Sequence, residues 1–303
     1  MKQATILLLV LFSTLTFGQG LDPTEFLINN TIKIECGKTV NGKKVTSSGT
    51  GFFFTFNWNN NEYIPVLVTN KHVIKGATNA ILYFKEWDST RHPIYGRTIK
   101  ITVNFENAWI SHPDTTVDLA VLPMRNLSER LKKDYKDKIQ YPGLNESNLL
   151  TDSIAKSITA IEDVYMIGYP YGLRDEVNDI PIVRKGITAT PLFLNYKGKK
   201  EFLVDMPVYK GSSGSPVIIY SNTFRNRNGE MNFGQQRVLL VGINFATYYK
   251  TFEGKLVPRK TDSLDSLQVQ TSLPLYNIGI VIKAERLLDF KGVFAELEKK
   301  VKK

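Results

Sequence analysis

Between residues 30 and 290 the apolar residues fall into short runs, many of them β-branched or aromatic, cut apart by Gly, Asn, Asp and Pro. That pattern predicts strands and turns rather than long helices. The first series covers 31–36, 49–56, 63–69, 79–84, 98–103 and 118–122, and six antiparallel strands suffice for a small closed barrel. A charged stretch and a Tyr141-Pro142-Gly143 turn interrupt it over 126–157, which predicts a linker with a surface helix. Strand-like runs resume at 158–167, 182–188, 201–206, 215–220, 238–247 and 277–282. Apolar residues at Leu287, Leu288, Val293, Phe294 and Leu297 then have helical spacing. The expected fold is all-β: two six-stranded antiparallel barrels, over 21–125 and 158–283, followed by a C-terminal helix over 284–303. Residues 222–237 and 248–276 are expected to be long loops.

The first twenty residues are different. Lys2 gives a positive start, an apolar run covers 4–12, and small or polar residues follow through Gly18-Gln19-Gly20. This is the layout of a secretory signal peptide, and the run is short of the roughly 20 residues that span a bilayer. A secreted or periplasmic product with no stable membrane insertion after cleavage is expected. The single cysteine, Cys36, allows no internal disulfide, so the core alone must hold the fold; in an alternating segment it reads as a small buried hydrophobe. A formal charge of +10 raises the question of an acidic partner. The basic residues are scattered, however, and the densest group, Lys299 to Lys303, closes the terminal helix, where positive charge suits the dipole. No nucleic-acid partner is expected.

The sharpest local signal is Gly211-Ser212-Ser213-Gly214-Ser215-Pro216, two glycines around a serine ahead of the apolar strand Val217-Ile218-Ile219. A glycine two residues before a nucleophile lets the chain turn so that the N–H groups of Gly211 and Ser213 converge as an oxyanion hole. On its own the hexapeptide also fits an ordinary turn. A serine hydroxyl needs a base, and the chain has three histidines. His92 and His112 both precede proline; His72 stands where the buried strand Val66-Leu67-Val68-Thr69 runs out. The orienting acid would be Asp118, which opens the apolar run Leu119-Ala120-Val121-Leu122 and is placed to be partly buried against an imidazole.

Taken in order, Thr69-Asn70-Lys71-His72, then His112-Pro113 leading to Asp118-Leu119-Ala120-Val121-Leu122, then Gly211 to Pro216 resemble the chymotrypsin-like serine peptidases, and bacterial trypsin-like members most of all. Segments such as Val164-Tyr165-Met166-Ile167-Gly168-Tyr169-Pro170 and Ile278-Gly279-Ile280-Val281-Ile282 are similar to that branch. The resemblance implies a serine endopeptidase with His72 as general base and acid, Asp118 as orienting carboxylate and Ser213 as nucleophile. It also implies Gly211 and Ser213 N–H as oxyanion donors, an acyl-enzyme intermediate, protein or peptide substrates, and no metal or other cofactor. Asn244 and Phe245, in Gly242-Ile243-Asn244-Phe245-Ala246, resemble the edge that pairs with bound peptide and are expected to shape the pocket.

The chain departs from the animal enzymes in two places. Ser212 stands where they carry the aspartate that binds a freed N-terminus, and Pro207 stands where trypsin selects basic residues. Neither property carries over. The alternatives are a catalytically inactive or latent member acting as a binding protein, and a nucleic-acid or surface-adhesion module driven by the positive charge. An α/β-hydrolase is excluded by the order His, Asp, Ser and by the lack of a Gly-x-Ser-x-Gly elbow before a helix.

Overall fold

The computed structural model describes residues 21–40, 43–58, 62–104, 109–136, 138–255 and 268–301. The expected signal peptide lies outside them. A short helix, α1 (Pro23–Asn29), capped by Asp22, leads into the first sheet. Its strands are β1 (Thr31–Val40), β2 (Lys43–Asn57) and β3 (Tyr63–Thr69), then, after the single turn α2 (Lys71–Ile74), β4 (Ala77–Trp87), β5 (Pro93–Asn104), β6 (Ile110–Ser111) and β7 (Ala120–Pro123). The helix α3 (Arg125–Tyr135) follows, and β8 (Leu144–Asn145) then pairs in parallel with β2. After the turn α4 (Asp152–Ala155) come β9 (Asp163–Gly168), β10 (Ile182–Thr188), β11 (Glu201–Asp205), β12 (Pro216–Arg225), β13 (Met231–Lys255) and β14 (Gln268–Lys283). A 3-10 stretch, Ala284–Asp289, and the helix α5 (Phe290–Val301) end the described residues.

The expected pair of six-stranded barrels is not what forms. The first sheet has eight strands in the open path β5-β4-β1-β2-β3-β7-β6, with β8 added beside β2. The miscount has a physical cause: β6 and β8 are two residues long, too short for an alternation to register. A strand as short as β6 also leaves the sheet an edge rather than a closure. In the second sheet the hydrogen-bonded order β10-β11-β14-β13-β12-β9 returns to its start. Among the described residues the stretches expected to be long loops are largely strand, and 256–267 of the second lie outside them. β12 and β13 continue as a hairpin arm, with Thr223 opposite Phe233 and Arg225 opposite Met231, and β13 pairs with β14 as far as Lys255 opposite Gln268. The first arm is rich in Asn, Arg and Gln and mostly exposed, so it lacks the apolar alternation by which strands are recognised.

The Phe52-Phe53-Phe54-Thr55-Phe56 run shows how the halves are joined. Successive strand residues face opposite ways. Phe52, Phe54 and Phe56 therefore pack with Ile218, Leu240, Ile243 and Ile282 of the second sheet and with Phe290 and Phe294 of the terminal helix. Phe53 faces the other way, with Ile34, Leu82, Phe84, Leu122, Leu127 and Leu131. Burying the three outward phenylalanines contributes about 5–9 kcal/mol as an upper bound. The second sheet encloses its own core, including Val164, Met166, Phe202, Val204, Val217, Ile219 and Val241. Cys36 is fully buried in the core of the first sheet, as expected of a small hydrophobe.

The terminal helix is docked by a polar cluster as well. His112, 3% exposed, accepts at Nδ1 from Asp114 N–H at 3.1 Å, so its proton sits on Nε2, which donates to Arg286 O and Asp289 Oδ2, both at 3.1 Å. Arg286 reaches Asp114 Oδ2 at 2.8 Å. Burial holds the imidazole below its ordinary range, against the raising effect of its backbone partners.

Candidate active site

His72 owes its position to the end of β3. Asn70 has extended backbone, the chain makes the single turn α2, and Val73 and Ile74 anchor that turn in the core. The fit is close: a Cβ on Gly49 of β2 would lie 2.5 Å from Val73 Cγ1. Asp118 comes in on the loop before β7. Asp114 Oδ1 folds that loop by accepting from Thr116 N at 2.9 Å, and His112 N–H bonds Leu119 O at 2.9 Å. Asn70 is fully buried, and its Nδ2 donates to Asp118 O at 2.7 Å, tying the two loops together.

Both carboxylate oxygens of Asp118 then meet His72. Oδ1 accepts from the His72 backbone N–H at 3.0 Å, and Oδ2 lies 2.5 Å from the ring Nδ1. Burial pushes the Asp118 carboxyl up, but the hydrogen bonds and charge of His72, with the charge of Lys71, bring it below the usual value. An ionised acceptor there requires the proton on Nδ1 and leaves Nε2 as the free base. The His72 side chain is 45% exposed.

Ser213 lies in a turn shaped by two glycines in the left-handed region, Gly211 at φ +91 and Gly214 at φ +85. Each is forced by close approach. A Cβ on Gly211 would meet Tyr169 O at 2.4 Å, and one on Gly214 would meet Thr50 O at 2.1 Å and Thr69 Oγ1 at 2.6 Å. Thr50 is on β2 and Thr69 ends β3, three residues before His72, so the serine turn rests on the strand pair that carries the histidine. Thr50 N–H bonds Ser213 O at 2.9 Å, and Thr50 Oγ1 bonds Gly211 O at 2.8 Å. Among the described residues no hydrogen bond joins Ser213 Oγ to His72, and the N–H groups of Gly211 and Ser213 donate to no protein acceptor.

Of the residues expected to shape a pocket, Asn244 is 1% exposed and sits behind the turn, its Nδ2 on Ser212 O at 3.1 Å. Phe245 is half-buried against the core between the sheets. Sequence reasoning missed Thr50, Asn70 and the 169–172 turn. The only trace of the first is its place in Gly49-Thr50-Gly51, two glycines that admit close neighbours. Among the described residues no group of three or more His, Cys, Asp or Glu side chains is placed to hold a metal ion, and no helix is long and apolar enough to cross a membrane.

Comparison with known proteins bears on the same region. No curated protein sequence matches. Among solved structures, the crystal structure of the Rv3671c protease in its inactive form is similar at 16% identity, covering 88% of this chain and 93% of that one, with a TM-score of 0.40. That likeness is too loose to carry an argument. The trypsin-like peptidase domain family matches residues 49–223, from the β2 strand that bears Thr50 through Asp118 and Ser213 into β12. With more than half of its length matched in this way, the chain belongs to the trypsin-like peptidase domain family.

Proposed function

We propose that the chain is an exported serine endopeptidase that hydrolyses peptide bonds through Ser213, His72 and Asp118. The observation that carries this reading is the His72–Asp118 pair, with Nδ1 at 2.5 Å from the carboxylate and Nε2 left as a base, set on the strands against which the Ser213 turn rests. His72 takes the Ser213 proton as the hydroxyl attacks the scissile carbonyl, then gives it to the leaving amine. Asp118 keeps the tautomer and stabilises the imidazolium. The acyl-enzyme on Ser213 is released by water activated the same way. The unengaged N–H groups of Gly211 and Ser213 are the donors for the tetrahedral oxyanion. The serine–histidine bond is commonly long before substrate arrives.

On this reading the cleft lies between the half carrying His72 and Asp118, residues 21–125, and the half carrying Ser213, residues 158–283. The segment 126–157 links the halves and 284–303 closes the chain. Residues 1–20 direct export to the periplasm or medium, and the substrate is a protein or peptide with Phe245 near its binding edge. The test is labelling by a fluorophosphonate, which reacts with activated serines. Wild type should label at Ser213, and Ser213→Ala and His72→Ala should not. A folded wild type that fails to label overturns the reading in favour of a binding protein on the same fold.

A further inference from the structure

The Ser213 turn is held from behind, carbonyl by carbonyl. Arg184 Nη1 bonds Pro207 O at 2.7 Å, Tyr171 N–H bonds Lys210 O at 2.5 Å, Thr50 Oγ1 bonds Gly211 O at 2.8 Å, Asn244 Nδ2 bonds Ser212 O at 3.1 Å, and Thr50 N–H bonds Ser213 O at 2.9 Å. A trans peptide unit is planar, so its C=O and the following N–H point in opposite directions. Fixing a carbonyl therefore aims the next N–H. Tyr171 aims Gly211 N–H through Lys210 O, and Asn244 aims Ser213 N–H through Ser212 O.

Asn244 stands out among these anchors because a carboxamide is otherwise a poor choice for its position. It is 1% exposed on β13, next to the core residue Ile243, and among the described residues its Oδ1 has no hydrogen-bond partner. A buried, half-satisfied amide is disfavoured against an aliphatic side chain of similar size. Its backbone is bound to the same turn on both sides, with Gly214 N–H on Asn244 O at 2.9 Å and Asn244 N–H on Ser215 O at 3.0 Å. The carboxamide thus has one engaged group, Nδ2, which shares Ser212 O with Ser215 N–H, each at 3.1 Å, and so helps to hold the peptide whose N–H belongs to Ser213.

We propose that Asn244 is a positioning residue for catalysis: its buried Nδ2 fixes the Ser212 carbonyl and so directs Ser213 N–H into the oxyanion site. The inference rests on the serine peptidase reading above. It assigns to Asn244 a role behind the nucleophile in place of the pocket-shaping role expected from sequence.

The experiment compares wild type with N244V and N244D, using p-nitrophenyl acetate turnover, fluorophosphonate labelling of Ser213, thermal unfolding, and diethyl pyrocarbonate modification of His72 followed by mass spectrometry. Removing an oxyanion donor costs on the order of 10²–10³ in kcat, and misdirecting one should cost about 10²-fold. We expect N244V to lose that factor in kcat and in labelling rate, with KM within about threefold, while its Tm is equal to or above that of wild type. The His72 modification rate should not change. A merely structural Asn244 would instead lower Tm and activity together. N244D keeps the shape but presents an acceptor to Ser212 O, and should be at least as slow. If a variant fails to fold, N244S, smaller and uncharged, carries the same measurements. Folded variants with wild-type kcat overturn the proposal and leave the triad reading standing, whereas a wild type inert to fluorophosphonate removes both.

Discussion

Replacing Gly214 by alanine separates the two reasons a glycine is needed beside Ser213. The backbone there is left-handed, φ +85, which disfavours any L side chain by about 1–2 kcal/mol. The new methyl would also lie 2.1 Å from Thr50 O and 2.6 Å from Thr69 Oγ1. Thr69 Oγ1 is bonded to that same Thr50 O at 2.8 Å, and Thr50 lies within the paired strand β2, so neither atom yields easily. Overpacking of this kind costs about 1–3 kcal/mol. Gly76 is the control, with φ +71 and nothing within 4 Å of a built Cβ, so Gly76→Ala should lose only the backbone part. Urea unfolding of both variants, with equal m-values, should place Gly214→Ala lower by about 1–3 kcal/mol beyond Gly76→Ala. Its fluorophosphonate labelling should also slow, because the Gly214 N–H to Asn244 O bond holds the turn. Equal destabilisation of the two variants would refute the claim that the serine turn is seated on Thr50 and Thr69.

Three further outcomes are expected. Asp118→Asn should stay folded yet lose about 10³–10⁴ in kcat, because the amide no longer fixes the Nδ1 proton of His72; steady-state kinetics with circular dichroism checks it. His112 has its folded pKa held below 6.5 by burial, so the unfolded chain binds the proton more readily. Its contribution to stability is complete above 6.5 and is lost as pH falls through the folded value. The hydrogen-exchange protection factors at α5, taken relative to the intrinsic rate at each pH, should accordingly fall on acidification in wild type, and H112Q should blunt that dependence although Asp289, Asp114 and Arg286 still face the site. Cys36, whose thiol burial raises to about 11, should resist iodoacetamide at pH 8 in the folded chain and react only in denaturant; fast native alkylation would show the core to be open.

Much of the architecture was legible because strand cores advertise themselves. Runs such as Val66-Leu67-Val68 and Val217-Ile218-Ile219 are buried on both faces, and the expected and observed strands coincide at 63–69 and 182–188. What failed was whatever lacks an apolar pattern. Two-residue strands have no period to read, and this turned an eight-stranded open sheet into an expected six-stranded barrel. The polar arm of β12 and β13 looked like loop, although its backbone pairs again beyond a register shift at 221–223, from Thr223 opposite Phe233 to Arg225 opposite Met231. The His72–Asp118 contact was legible for another reason: few residue types can do that chemistry, and the chain has three histidines to choose from.

The anchoring of Ser213 was not legible, because nothing in residue type records which carbonyl a distant side chain will hold. Thr50 and Gly211 are 161 positions apart, and a threonine between two glycines on a strand reads as ordinary β-propensity. Asn244 shows the same limit from the other side. An asparagine after Gly242-Ile243 is expected from the resemblance to shape the pocket at the peptide-pairing edge. Only the paired backbone bonds to Gly214 and Ser215 turn its side chain inward onto Ser212 O. The residue types suited to the proposed chemistry can be picked out in the sequence. Their aim is set by hydrogen bonds across the seam between the sheets, where Thr50 and Thr69 of the first half meet the turn of the second. A substitution at Thr50 or Asn244 should therefore disturb catalysis more than its distance in sequence from Ser213 would suggest, with His72 and Asp118 left paired.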